Sequence, residues 1–485
     1  MTRIIKNFIG NGYVEPENEG KYEVFNPALG EVTASVAEST REEVDRAVDL
    51  AQDAFHRWMN VPIPDRIKIL FKLQNLMYEN MDKIAEITTN EHGKTFEESK
   101  GDLVRAIQNV ESAAAATYHS MGVSSKNISE GIDEELVKVP LGVFAVISPF
   151  NFPSMIPFWF MPYAVALGNT VIIKPSEKTP MTMEFIMDLV KKAGIPENVV
   201  QLLNGGKETV DHILDNKKIV GVSFVGSTPV AKYVYSKGTS SGKRVQAGAS
   251  AKNFIIVMPD ADLEGSMKNI IGSFFGNAGE RCLAGSVLVT FRENHEEVTR
   301  KFVESAKKIK IGYGMMKDVD MGPLIRKEHL ARVLDYIASG ESQGAKMLLD
   351  GRNVRVEKYP NGFFLGPTIF DDVSLDMKIG KEEIFGPVAS IVVAENFEDA
   401  IEKVNSSIYG NASSIYTRSG YYAREYVRKV EAGNIGINIG VAAPIAFYPF
   451  AGMKSSFFGE IHPQGGSEHV DFFTDRKVVI SRWPG

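Results

Sequence analysis

Four short apolar runs constrain this chain more than anything else in it: 143–148 (VFAVIS), 170–175 (TVIIKP), 199–203 (VVQLL) and 219–226 (IVGVSFVG). Each ends in a turn, and helical periodicity follows. Continuous apolar runs of this length are what strands buried on both faces need, and their alternation with helices specifies a mainly parallel sheet covered on its faces. The units begin again at 251, with NFIIVM, a helix over about 262–277, the strand SVLVTF, helices over about 294–308 and 327–341, and VASIVVA. The chain therefore reads as α/β.

The flanking segments differ in kind. Thr40 and Glu43 have the spacing of a capping box, and Val44, Ala47, Val48, Ala51, Phe55 and Trp58 then recur at helical spacing. A second helix is predicted from about 64 to 89 with its stop at Gly93, and a third over about 95–118, where the position of Arg105 alone indicates a solvated face. Residues 122–140 read as an extended excursion from the helical body. The alternating tail HVDFFTDRKVVISRW is a candidate strand for pairing with another subunit.

With 485 residues, two or three structural units are expected. A net charge of −7 leaves no basic face for nucleic acid, and no window approaches the ~20 apolar residues of a spanning helix. The amino terminus lacks the pattern of a signal peptide, so the cytoplasm is the simplest location. One cysteine forms no internal disulfide and no thiolate cage, and no metal is expected.

That cysteine, Cys282, lies in NAGERCLAG. A free cysteine is usually a buried small hydrophobe. Against this, Arg281 stands beside it, and a neighbouring cation favours the thiolate, which is the form that attacks carbonyl carbon. Asn151, in the turn PFNFP after the first apolar run, is either a turn residue or an amide donor to an oxyanion. Lys174 and Glu177 offer a cation and an acceptor suited to ribose hydroxyls, and Gly226-Ser227 opens a helix whose amides suit a phosphate. This region contains no GxGxxG fingerprint.

Taken in order, PFNFP, KPSEKTP, FVGST, GERC, EEIFGPV and PFAGMKSS resemble the aldehyde dehydrogenase superfamily over essentially the whole chain. The resemblance implies Cys282 as nucleophile and Asn151 as oxyanion donor. It implies NAD held by Ser148, Phe150, Lys174, Glu177, Lys178, Gly226, Ser227, Ala249, Glu383 and Phe385. The implied fold has two mainly parallel-sheet, Rossmann-like domains and a small β oligomerisation hairpin. The NAD-binding domain would comprise 1–117 and 141–250, the catalytic domain 251–462, and the oligomerisation unit 118–140 and 463–485, in a homodimer or homotetramer.

One departure from the family pattern concerns the hydrolytic base. Where hydrolytic members carry a glutamate in Glu-Leu-Gly-Gly-Lys, this chain has Gly248 ahead of Lys252. Glycine offers no proton acceptor. With Arg105, Arg281 and the SSFFGEIHPQGG segment, the sequence resembles the coenzyme A-acylating branch that acts on methylmalonate semialdehyde. In that branch both arginines would hold the substrate carboxylate, and coenzyme A would be the co-substrate. The alternative is a hydrolytic NAD(P)-dependent dehydrogenase of another small aldehyde, in which Glu280 or Glu382 replaces the missing base.

Overall fold

The structure is a computed structural model that describes residues 3–460 and 464–483; Ile461 to Pro463, within the SSFFGEIHPQGG segment, lie outside the described residues. Its centre is an eight-stranded sheet in the order Phe457–Phe458, Arg244–Gly248, Ile219–Val225, Val143–Ile147, Thr170–Lys174, Val200–Leu202, Asn7–Ile9 and Gly12–Val14. The five strands between residues 143 and 248 are parallel, and the outer ones are antiparallel. Val143–Ile147 pairs with the next strand in sequence on one side and with Ile219–Val225 on the other. That reversal of strand order is a topological switch point, outside which open α/β sheets hold ligands. Every residue of Val143–Ile147 and Thr170–Lys174 is buried, as their continuous apolar character demands.

A second sheet of seven strands runs Lys346–Leu349, Thr368–Asp371, Val388–Ala394, Gly285–Phe291, Asn253–Val257, Ala412–Tyr416 and Asn434–Ile437, parallel except at Lys346–Leu349. Helices cover it through one large core that includes Phe274, Phe302 and Ile337. A three-stranded antiparallel sheet joins Val123–Ser129, Ile132–Pro140 and Thr474–Arg482, so the excursion and the tail meet within one chain.

Three local expectations change. The helix predicted over 64–89 is two helices, Ile63–Glu79 and Met81–His92, because Asn80 leaves helical geometry and its amide donates to the Leu76 carbonyl at 2.8 Å. The helix predicted over 95–118 ends at Ala114, with a short turn Ala116–His119 beyond it. The alternating tail begins as a short helix, Glu468–Phe473, which buries His469, Phe472 and Phe473 before the strand starts. Gly93 ends its helix as predicted, at φ +99°. Among the described residues no helix is long and apolar enough to cross a membrane.

Candidate active site

The carboxyl ends of the first sheet and the amino ends of the second supply the residues around Cys282. Ahead of it, Asn277, Ala278 and Gly279 all have left-handed backbone, with φ of +54°, +51° and +74°. A Cβ on Gly279 would lie 2.3 Å from the Gly386 carbonyl oxygen, so only glycine fits there. Such a turn persists only where its surroundings over-determine it. Here the Asn277 N–H donates to Glu98 Oε1 at 2.6 Å, and the Asn277 and Asn151 amides both donate to the Glu280 carbonyl at 2.9 and 3.1 Å. The Cys282 carbonyl accepts from Asn253 Nδ2 at 2.9 Å and Asn411 Nδ2 at 2.8 Å. Asn151 keeps a second amide N–H, and buried Lys94 holds its backbone carbonyl at 2.6 Å.

The cation beside the cysteine does not make it a thiolate. Burial, followed by the charge of Glu383, pushes the Cys282 thiol up to about 12, against the opposing pull of the Cys282 and Leu283 N–H groups and of Arg281. Arg281 is neutralised by Glu98, which accepts from its Nη2 at 2.8 Å. Arg105 is half-buried instead of solvated. It lines a cavity of about 280 Å³ together with Cys282, Arg281, Glu98, Phe152 and Trp159. Its Nη1 donates to Gln108 Oε1 at 3.0 Å, and among the described residues no carboxylate lies within ion-pair distance of it.

At the switch point stand residues suited to a dinucleotide. Lys174 Nζ lies 3.8 Å from Glu177, and its own second contact is the Gly205 carbonyl at 3.1 Å. Burial alone would raise Glu177, but Lys174 and Lys178 outweigh it and hold the carboxyl below its usual range. Ser148 Oγ is buried without a hydrogen-bond partner among the described residues. Ser227 precedes the helix Thr228–Ser240 without using its side chain as a cap. The amides of that helix are less available than expected: Thr228 N–H donates to Ser250 Oγ at 3.1 Å, and Pro229 has none. Gly226 is required by Phe224, whose ring would stand 2.5 Å from an added Cβ. A free serine hydroxyl, an orphaned buried one and a Lys–Glu pair at a switch point fit a dinucleotide.

Opposite lie Glu383 and Phe385. Glu383 Oε1 accepts from the Ala251 N–H at 2.9 Å, and burial raises its carboxyl despite that bond. Phe385 has left-handed backbone at φ +58°, and its carbonyl is held 2.7 Å from His329 Nε2. Its ring meets Phe150 edge-on at 5.9 Å, with Lys178 Nζ 4.7 Å over the other aromatic face. Ala249 N–H donates to the Ser456 carbonyl at 2.8 Å, which ties this wall to the PFAGMKSS motif.

Gly248 closes the strand Arg244–Gly248. An added Cβ would make ordinary contact with Val225 at 3.5 Å, so sterics do not demand glycine there. Neither suggested substitute base shares the cavity of Cys282. Glu280 is fully buried and pushed up to about 8 by burial; its Oε1 accepts from the Ile325 N–H at 3.2 Å and faces His329 at 3.3 Å. Glu382 is exposed and accepts from the Tyr336 hydroxyl at 2.6 Å.

Sequence reading missed Glu98, Asn253, Asn411 and Lys94. Glu98 carries a visible signal, since Thr95 and Glu98 form a capping box with the spacing of Thr40 and Glu43. The two asparagines carry none, because their partner is a backbone carbonyl distant in sequence.

The chain belongs to the aldehyde dehydrogenase family, whose model matches residues 13–479. It is 44% identical over 482 residues to a malonate-semialdehyde dehydrogenase of Bacillus pumilus (strain SAFR-032), covering 99% of both chains. Among solved structures it resembles the methylmalonate-semialdehyde dehydrogenase of Oceanimonas doudoroffii at a TM-score of 0.98 and 39% identity, covering 100% of this chain and 99% of that one. The same figures hold for a structure from Sinorhizobium meliloti 1021 complexed with NAD.

Proposed function

We propose that the chain oxidises malonate or methylmalonate semialdehyde through a thioester on Cys282 and transfers the acyl group to coenzyme A. The observation that carries this reading is the cavity that joins Cys282 to Arg105, a guanidinium with no carboxylate partner among the described residues. A planar fork of that kind suits a carboxylated aldehyde. Full-length identity to malonate-semialdehyde dehydrogenases supports it.

The Cys282 thiol gives up its proton to water, and its sulfur bonds to the aldehyde carbon while the carbonyl π electrons move onto oxygen as an alkoxide. The alkoxide is held by the free N–H of the Asn151 amide and by the Cys282 backbone N–H. Collapse of the adduct breaks the aldehyde C–H bond and leaves a thioester on Sγ. NAD, when bound by Ser148, Phe150, Lys174, Glu177, Lys178, Gly226, Ser227, Ala249, Glu383 and Phe385, supplies the two-electron oxidant that accepts the hydride. Glu177, kept anionic, disfavours a 2′-phosphate and hence NADP.

Gly248 places no proton acceptor where water would be activated, so the thioester waits for a stronger nucleophile. The thiol of coenzyme A attacks it and releases Sγ. A carboxylate beta to the thioester carbonyl leaves as carbon dioxide, because the electron pair delocalises into that carbonyl; the enolate carbon then takes a proton from water, and acetyl- or propionyl-coenzyme A results.

The chain divides into a cofactor unit (1–117, 141–250), a catalytic unit (251–462) and an oligomerisation unit (118–140, 463–485). It works in the cytoplasm as a homo-oligomer. Rapid mixing with malonate semialdehyde and NAD tests the chemistry: one NADH per Cys282 is expected without coenzyme A and continuous turnover with it. Steady turnover in water alone at comparable speed would instead mark a hydrolytic enzyme.

A further inference from the structure

We infer that the buried ion pair of Lys94 and Asp102 clamps the turn 151–155 and so sets the direction of the Asn151 amide, with Lys94 as the positioning residue of the alkoxide donor. This rests on the role of Asn151 proposed above.

Lys94 lies on a short link between two helices. Gly93 ends the helix Met81–His92 in left-handed geometry, and Thr95 caps the helix Phe96–Ala114. The link has no room to shift: the Phe96 N–H donates to the Gly314 carbonyl at 2.9 Å, and an added Cβ on Gly322 would stand 1.9 Å from the Gly93 carbonyl oxygen. From this fixed base the Lys94 side chain runs inward and is wholly buried, as is that of Asp102. Taking an ammonium out of water costs free energy that its partners must return. Burial accordingly pulls Lys94 below its usual range, against the charges of Asp102 and Glu98.

The contacts of the pair fall on the turn that carries Asn151. Lys94 Nζ donates to the Asn151 carbonyl at 2.6 Å, lies 4.2 Å from the centroid of the Phe152 ring and stands 4.0 Å from Asp102 Oδ2. Asp102 Oδ1 accepts from the Met155 N–H at 2.8 Å. That N–H opens the helix Met155–Ala166, whose Ser154 supplies no side-chain cap. The pair thus grips the turn at 151, 152 and 155. From across the site the Glu280 carbonyl takes one hydrogen of the Asn151 amide at 3.1 Å. With its backbone carbonyl held, the next ring packed and one amide hydrogen committed, Asn151 presents its second N–H in a single direction. An alkoxide donor works by being in place before the charge develops, and a misplacement of about 1 Å can cost ~10²-fold in rate.

The test is a double-mutant cycle on the NADH burst of the full-length enzyme, mixed with malonate semialdehyde and NAD without coenzyme A. Removing one partner of a buried pair strands the other, so both are neutralised: Lys94→Met is combined with Asp102→Asn, which keeps an acceptor for the Met155 N–H. In the wild-type background this paired variant should slow the burst about tenfold and move the half-saturating aldehyde concentration by less than about threefold, because the donor binds charge that appears only on attack. In the Asn151→Ala background the same pair should cost less than about twofold, since the group it positions is gone. A purely structural role would cost as much in both backgrounds. That result, or an unslowed burst in the paired variant, overturns the inference. Lys94→Gln, with a shorter and uncharged donor, should fall between the wild type and the paired variant, and the same cycle run on it decides should the paired variant not fold. An undiminished burst in Asn151→Ala would overturn the alkoxide assignment and the inference together, whereas equal costs in the two backgrounds overturn the inference alone.

Discussion

Gly248 and Cys282 show how far a single position governs the outcome of the same chemistry. Space exists at Gly248 for a side chain, so Gly248→Glu should fold and should convert part of the acyl transfer into hydrolysis. The measurable result is sustained NADH formation without coenzyme A; an unchanged single-turnover burst would show that the acceptor is misplaced. Asn151→Ala removes one of the proposed alkoxide donors and should lower kcat by about 10²–10³, roughly 3–4 kcal/mol of barrier. The thiol itself titrates far above neutrality, with burial and Glu383 pushing it up to about 12. Its thiolate fraction therefore rises about tenfold for each pH unit between 6 and 9. Alkylation of the free enzyme should climb without a plateau over that range, whereas a plateau near neutral pH would restore Arg281 as an effective activator.

Helices and turns show the same dependence on partners remote in sequence. The helix Met181–Ala193 begins after Pro180 with no side-chain cap of its own. Glu91, from the helix Met81–His92, accepts from the Met181 N–H at 2.7 Å, the Thr182 N–H at 2.9 Å and the Thr182 hydroxyl. Removing it strands buried donors, so Glu91→Ala should cost ~1–3 kcal/mol in thermal unfolding, at least as much as the ~1 kcal/mol expected for the local cap Thr40→Ala. The local cap is visible in four consecutive letters; the borrowed one is not. The break at Asn80 is equally quiet, because the apolar spacing of Leu70, Leu73, Met77 and Ile84 continues across it and all four remain buried. The Thr95–Glu98 box is legible as a helix start, yet nothing near it announces that the outer oxygen of the glutamate serves the cysteine turn.

At the scale of the whole molecule, the carboxyl-terminal strand is the exposed feature. Thr474–Arg482 pairs along its length with Ile132–Pro140, while Val478 and Ile480 remain 64% and 66% exposed. Removing residues 474–483 should reduce the proposed oligomer to smaller species in sedimentation; an unchanged assembly would place the subunit contact elsewhere. The helix before it carries an acid-sensitive group. His469 is buried against Phe160, Tyr163 and Phe473 with both ring nitrogens unpartnered among the described residues, and burial pushes it down to about 3. The unfolded chain binds a proton near its usual 6.5 and the folded chain does not, so stability falls as pH drops from 6.5 toward 3, by up to about 1.4 kcal/mol per pH unit. His469→Phe should flatten that part of the unfolding profile. By itself, the sequence determined the alternation of buried strands and covering helices, the single cysteine and the want of a carboxylate at Gly248, because each is written in local periodicity or in the chemistry of one side chain. The tertiary structure alone decided that Arg281 is neutralised, that Arg105 faces the cavity and that the thiol rests protonated. Charge and ionisation depend on burial and on which distant groups share a space, and the linear order of residues encodes neither.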